Sequence, residues 1–171
     1  MISIEGLIEW SRLDHNIGMA LGRSEITPYE ILDGLSKLHI EEITKALGRN
    51  PKLPKTILDY IANKANYKEK ISLLNNCHAK KYLHRWVNDP ENSVRSNIAR
   101  NKFTSKKDLN ILSKDINIYI RTQVLLNENT PHKTIVFMIK KDNNLIYSLQ
   151  RKKNCPKFLI QWYELYKKAL S

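Results

Sequence analysis

The chain has 171 residues, 42% of them hydrophobic, and carries 29 Lys/Arg against 17 Asp/Glu for a formal charge of +12. That is enough apolar material for a packed core, which excludes disorder as the default, and the basic excess points to an anionic partner. Cys77 and Cys155 are too few for a disulfide framework and lack zinc-ligand spacing. No apolar run approaches the roughly 20 residues that cross a bilayer, and Met1-Ile2-Ser3-Ile4-Glu5 has neither the basic head nor the apolar stretch of a signal peptide. The expected setting is a reducing cytoplasm.

Charge is unevenly spread. Residues 1–48 hold 4 Lys/Arg against 8 Asp/Glu, whereas residues 49–171 hold 25 against 9. All five glycines, Gly6, Gly18, Gly22, Gly34 and Gly48, lie in the acidic part, so the basic part has no glycine-rich phosphate loop.

Residues 1–20 are predicted to form an N-terminal helical cap with Ile4, Leu7, Ile8 and Trp10 on its buried side. From residue 21 the chain repeats. Leu21-Gly22-Arg23-Ser24 aligns with Leu47-Gly48-Arg49-Asn50, Leu73-Leu74-Asn75-Asn76, Ile98-Ala99-Arg100-Asn101 and Val124-Leu125-Leu126-Asn127, ending at Lys153-Asn154. The anchors 24, 50, 76, 101, 127 and 154 are 26, 26, 25, 26 and 27 residues apart.

After most anchors comes a helix-start signal: Thr27-Pro28, Leu53-Pro54, Thr104-Ser105 or Thr130-Pro131, with proline expected at the first helical position. The apolar residues that follow have helical spacing: Ile31, Leu32 and Leu35; Ile57, Leu58 and Ile61; Leu83, Trp86 and Val87; Leu109 and Leu112; Ile135, Met138 and Ile139. A second helix is predicted from Asp89-Pro90-Glu91, and at the equivalent Asp115 and Asp142, with Asp89 as its cap. Val94, Ile98 and Ala99, or Ile120, Val124 and Leu125, form its buried side. The anchor asparagine is expected to close it in a left-handed turn and to be structural, its side chain satisfying loop backbone groups. Phe158 to Leu170, with Trp162, Tyr163 and Leu165, is predicted as a closing helix.

Asp89-x4-Val94-Arg95-x2-Ile98-Ala99-x-Asn101-x2-Thr104 and its copy Asp115-x4-Ile120-Arg121-x2-Val124-Leu125-x-Asn127-x2-Thr130-Pro131 resemble HEAT-type helical repeats. They resemble more closely the leucine-rich repeat variant of bacterial proteins. The resemblance covers roughly residues 21–157. It implies an all-α, right-handed solenoid of about five 26-residue helix pairs, HEAT- or armadillo-like, as one domain over 1–171 with caps at 1–20 and 158–171. That variant family carries a cysteine-rich iron–sulfur segment, which has no counterpart here, so no cofactor is expected.

In such repeats an arginine six residues after an aspartate joins neighbouring repeats in a ladder, which is the role expected of Arg95 and Arg121. The pattern breaks at Lys64 and Lys70 and at Asp142 and Ser148. Lysines at the starts of the first helices recur with the repeat: Lys55, Lys80 and Lys81, Lys106 and Lys107, Lys133, and Lys157 after the last anchor. A cation at a helix N-terminus costs roughly 0.3–1 kcal/mol where exposed, so stability does not explain them; an anionic partner does, against the alternative of a solvated basic edge. Arg85, Lys140, Lys141 and Arg151-Lys152-Lys153 extend the surface.

Tyr60, Tyr67, Tyr82, Trp86, Tyr119 and Tyr147 are expected mainly as packing, Trp86 in the core. No GxSxG, HExxH, Walker A or dinucleotide motif is present, and the histidines do not cluster, Cys77-His78 with His84 being the nearest to a metal or nucleophile site. HEAT-like DNA glycosylases for alkylated bases use a carboxylate and aromatics, for which Asp89 and Trp86 are the nearest candidates. The expectation is a non-enzymatic binder with no metal, membrane or small-molecule substrate. Its partner is an acidic protein, as for an immunity protein neutralising a bacterial toxin or a scaffold; the alternative is a nucleic acid. Predominance of lysine over arginine, the acidic first quarter and the lack of a basic tail favour a protein. The partner-binding set is Lys55, Lys80, Lys81, Arg85, Lys106, Lys107, Lys133 and Lys140.

Overall fold

A computed structural model describes residues 2–76, 78, 80–153 and 155–170. Cys77 and the expected anchor Asn154 lie outside them. The described residues form twelve α-helices, one 3-10 helix and no strand. They divide into two compact units, residues 1–82 and 83–171.

The first unit contains α1 (Ile4–Leu13), α2 (His15–Arg23), α3 (Tyr29–Lys37), α4 (Glu41–Gly48), α5 (Lys55–Lys64) and α6 (Tyr67–Leu74). Helices alternate between two rows: α1 packs on α3 and α3 on α5, while α2 packs on α4 and α4 on α6. Close approach within the second row explains the recurring glycine. A Cβ on Gly48 would stand 3.2 Å from the Leu73 side chain and 3.4 Å from its backbone nitrogen, and one on Gly22 would stand 3.4 Å from the Leu47 nitrogen. The helix α7 (Lys80–Arg85) holds the boundary between the units.

The second unit contains α8 (Asn92–Arg100), α9 (Lys106–Leu112), α10 (Ile118–Leu126), α11 (His132–Lys141), the 3-10 helix Asn143–Arg151 and α12 (Lys157–Leu170). Here α8 packs on α10 and α10 on the 3-10 helix, with α9 and α11 against α10 and α12 against the 3-10 helix. Every apolar residue assigned above to the inward sides of the first and second helices is buried.

Helix starts depart from expectation by a residue or two. Pro28, Pro54 and Pro131 are N-caps, and their carbonyls accept from the backbone N–H of Leu32, Leu58 and Ile135. Asp89 is not a helix cap: its carboxylate accepts from the Glu91 N–H at 3.0 Å, shaping a turn before α8, which starts at Asn92. Asp115 does the same for Asn117 at 2.9 Å. Asp142 does cap the helix that follows it. In the first helices Ile4 and Trp10 are exposed, not buried, and Ser11 and Gly18 take the inward positions. In α12 Tyr163 is buried whereas Leu165 is exposed.

The anchor asparagines do not adopt a left-handed turn. Asn101 and Asn127 have φ of −70° and −65°, and His39, at φ 55°, is the non-glycine residue with positive φ among those described. Their work is done by the amide. Asn50 Nδ2 donates to the Gly22 and Ser24 carbonyls at 3.0 and 2.9 Å, Asn76 to Gly48 and Asn50 at 3.1 and 2.7 Å, and Asn127 to Ala99 and Asn101 at 2.8 and 3.0 Å. Each Oδ1 then accepts from the backbone N–H two residues on, at Lys52, His78 and Asn129. One side chain thus satisfies carbonyls that a helix end leaves without partners.

The last rung is made by Lys152, where the periodicity suggested Asn154. Lys152 is buried, and its Nζ donates to the Leu125 and Asn127 carbonyls at 2.9 and 2.8 Å. The tighter 3-10 winding of residues 143–151 shifts the register, so a residue 25 rather than 26 positions after Asn127 faces those carbonyls. Burial holds the Lys152 pKa below its ordinary value, partly offset by Cys155 and Glu128. A lysine with a lowered folded pKa binds fewer protons in the folded state, so its penalty at neutral pH is relieved as pH rises from that pKa towards 10.5. Lys152→Met, which removes both donors, is expected to lower the unfolding free energy by about 1–3 kcal/mol and to abolish that alkaline gain, as read by urea titration at neutral and alkaline pH.

Candidate partner-binding surface

The structure separates basic residues that hold the fold together from those that do not. Arg95 Nε and Nη2 make a two-point contact with the Asp115 carboxylate at 2.7 and 3.2 Å, and Nη1 donates to the carbonyls of Asp89 and Pro90. Arg121 repeats this one helix pair later, with Nη2 to Asp142 at 2.6 Å and Nη1 to the carbonyls of Asp115 and Ile116. The arginine of one pair therefore reaches forward to the aspartate of the next. The first unit replaces this with another network: Glu41 receives Lys45, Lys68 and the Asn66 amide, and Asn66 forms a capping box with Glu69.

Lys81, expected to face a partner, is committed to the first unit. Its Nζ meets the Asp59 carboxylate at 2.5 Å and lies 5.1 Å from the centre of the Tyr82 ring, while the buried Tyr82 hydroxyl also donates to Asp59. Lys80 and Arg85 are exposed. Lys55 opens α5, Lys106 and Lys107 open α9, and Lys133 is the second residue of α11; all four are exposed and make no ion pair among the described residues. Lys140 is exposed too, but in the last turn of α11, where the helix dipole favours a cation. The second unit holds 17 Lys/Arg and 7 Asp/Glu, against 12 and 10 in the first. With Asp108, Asp115 and Asp142 engaged internally, the unit's positive surface is barely compensated.

A polar cluster at the start of α9 joins the helix-start pattern Ser105-x-x-Asp108 to His84, whose part in it has no sequence signature. Ser105 accepts from the Asp108 N–H at 3.1 Å, its hydroxyl donates to one oxygen of the buried Asp108 carboxylate at 2.7 Å, and His84 Nδ1 meets the other at 2.6 Å. The carboxylate lies between serine and histidine, the reverse of a triad in which histidine activates serine; Ser105 caps α9, and the carboxylate holds the Ser105 hydroxyl and orients an exposed imidazole. Cys155 is half-buried, and burial pushes its thiol above the ordinary value, which disfavours the thiolate. Among the described residues no group of three or more His, Cys, Asp or Glu could hold a metal ion, and no helix is long and apolar enough to cross a membrane.

Asp89 and Trp86, the nearest match to a glycosylase site, are both buried, Asp89 against the Glu91 N–H. Tyr67, Tyr119 and Tyr147 are exposed, Tyr147 edge-on to Tyr163. Two clefts of about 320 Å³ each flank Ile116, which is 92% exposed on a turn whose carbonyls are held by Arg121; Lys114 lines both. An isolated apolar residue of this kind leaves no trace in the periodicity.

The chain matches no protein-family model, no curated protein and no solved structure.

Proposed function

We propose that the protein is a non-enzymatic HEAT-like α-solenoid whose basic surface engages an acidic protein. The observation that carries the reading is the unpaired state of Lys55, Lys106, Lys107 and Lys133, set against the commitment of Arg95, Arg121, Lys81 and Lys152 to internal partners. Spending arginines and one buried lysine on the scaffold while leaving a recurrent set of lysines uncompensated is costly self-repulsion unless an anion relieves it. The asparagine rungs in both units, and the forward Arg–Asp pairs repeated in the second, support a stack of helix pairs. Lysine is a point charge suited to scattered carboxylates, without the planar fork that arginine offers to phosphates and bases. Neutralising a toxin, as an immunity protein does, and scaffolding an acidic partner both fit such a surface.

The test is a triple charge reversal, Lys106→Glu, Lys107→Glu and Lys133→Glu, which leaves every internal rung intact. Partners captured from the source cells by the wild-type protein are to be identified by mass spectrometry, produced and titrated. The variant is expected to bind about 100-fold more weakly, at ~1 kcal/mol per reversed charge, with unchanged circular dichroism. Submicromolar binding of random duplex or single-stranded DNA or RNA near physiological salt, lost steeply as salt rises, would replace the protein reading with a nucleic-acid one.

A further inference from the structure

Two helices, one in each unit, expose apolar side chains among charges of opposite sign. On α1, Trp10 and Leu13 fall on one side at helical spacing and are exposed, Leu13 by 78%, and Ile2, just before the cap, is exposed too. Glu5 and Glu9 are exposed nearby, and the neighbouring cation Arg12 is taken up by Glu9 at 3.6 Å. On α12, Phe158, Ile160 and Leu165 are exposed, Leu165 by 65%. Lys157 opens that helix, and Arg151 and Lys153 stand just before it, all three exposed and without an ion pair among the described residues.

These two helices and their lead-in residues hold seven of the sixteen exposed large apolar side chains found among the described residues. Residues 1–48 carry net charge −4, whereas residues 151–171 carry six Lys/Arg and one Asp/Glu. An apolar row under acidic side chains and another under basic ones are complementary in both respects.

We propose that α1 of one copy docks onto α12 of a second copy, Ile2, Trp10 and Leu13 covering Phe158 and Leu165, with Glu5 facing Lys157. The contact joins unlike surfaces, so a joined pair of copies still has one face of each kind unused, through which association can continue into a ring or a chain. The lysines of α9 and α11 take no part, so this contact stands or falls independently of the acidic partner.

The experiment is analytical ultracentrifugation of the full chain over a concentration series at low and high salt. Wild type is expected to gain mass with concentration at low salt and to lose that gain at high salt. Leu13→Glu spoils only the acidic face and Leu165→Glu only the basic one, so each variant alone is expected to be monomeric. Mixed in equal amounts, they still offer one intact face each and are expected to form a dimer that grows no further. A wild type that stays monomeric into the high micromolar range at low salt overturns the proposal. So does a mixture that fails to dimerise, or a single variant that associates like wild type. If either glutamate variant loses its helical circular dichroism, Glu5→Lys and Lys157→Glu replace the pair, since they alter exposed charge alone.

Discussion

Asn127→Ala is expected to lower the unfolding free energy by about 3 kcal/mol, a large share of the stability of a chain this size. The alanine removes the amide that donates to the Ala99 and Asn101 carbonyls at 2.8 and 3.0 Å and the oxygen that holds the Asn129 N–H at 2.9 Å. The residue is buried, so water does not readily replace those bonds, and each orphaned group costs about 1–3 kcal/mol. Asn127→Asp is the sharper variant. It keeps the size and the acceptor for Asn129, yet turns a carboxylate oxygen towards two carbonyl oxygens, and is expected to cost more than alanine. Urea titration followed by circular dichroism checks both; an aspartate variant as stable as wild type would remove the amide from its assigned role.

Arg95→Ala comes next, at about 3 kcal/mol near neutral pH, because removing one member of a largely buried pair strands the other charge. Besides its two contacts to Asp115 and two to backbone carbonyls, Arg95 donates from Nη2 to the Asn92 side chain at 2.6 Å, so all five of its N–H groups are used. The loss depends on pH. Burial by itself raises the Asp115 pKa, but the hydrogen bonds from Arg95 and the Asn117 N–H, with the charges of Arg95 and Arg121, bring it below the usual value. A carboxyl lowered on folding contributes stability above its unfolded pKa of about 3.9, and that contribution disappears as pH falls through the folded value. In the variant the hydrogen bond and charge of Arg95 no longer oppose burial, only the Asn117 N–H and Arg121 do, so the Asp115 carboxyl is lowered less and the variant loses less on acidification. The gap between wild type and Arg95→Ala is therefore expected to narrow from neutral pH towards pH 3, as read by thermal melts across that range.

Much of the helical layout was legible because it is periodic. A period of about 26 residues located Asn50, Asn76 and Asn127, and helical spacing picked out the buried residues from Ile31 to Ile139. The structural role of the asparagines, side chains satisfying backbone groups, is legible from their period, whereas the left-handed turn is not found: their carbonyl partners lie 26 and 28 residues upstream, beyond any local rule about helix ends. Residue type alone places the last anchor at Asn154, whereas backbone winding brings Lys152 to the carbonyls. The helix before it runs as a 3-10 helix, which nothing in Asn143-Asn144-Leu145-Ile146 announces.

The surface was legible only as charge. Lys81 and Lys107 have the same place in their repeats, yet Lys81 is drawn to Asp59, 22 residues earlier, and Lys107 has no such acid within reach. Ile116 escaped notice because exposure of a single side chain follows from how a turn is held, here by an arginine five residues on.

The direction of the rungs bears on how the chain is made. Each asparagine reaches back to carbonyls 26 and 28 residues upstream, and Lys152 to those 25 and 27 upstream, so on a ribosome the acceptors leave the exit tunnel before the donor does. Within each unit a helix pair can thus lock onto one already in place during synthesis, with short loop closures and correspondingly quick folding. The forward reach of Arg95 and Arg121 runs the other way, each waiting for an aspartate 20 or 21 residues downstream. A chain emerged only as far as such an arginine has its backbone carbonyls satisfied but a guanidinium left in water until the next aspartate follows.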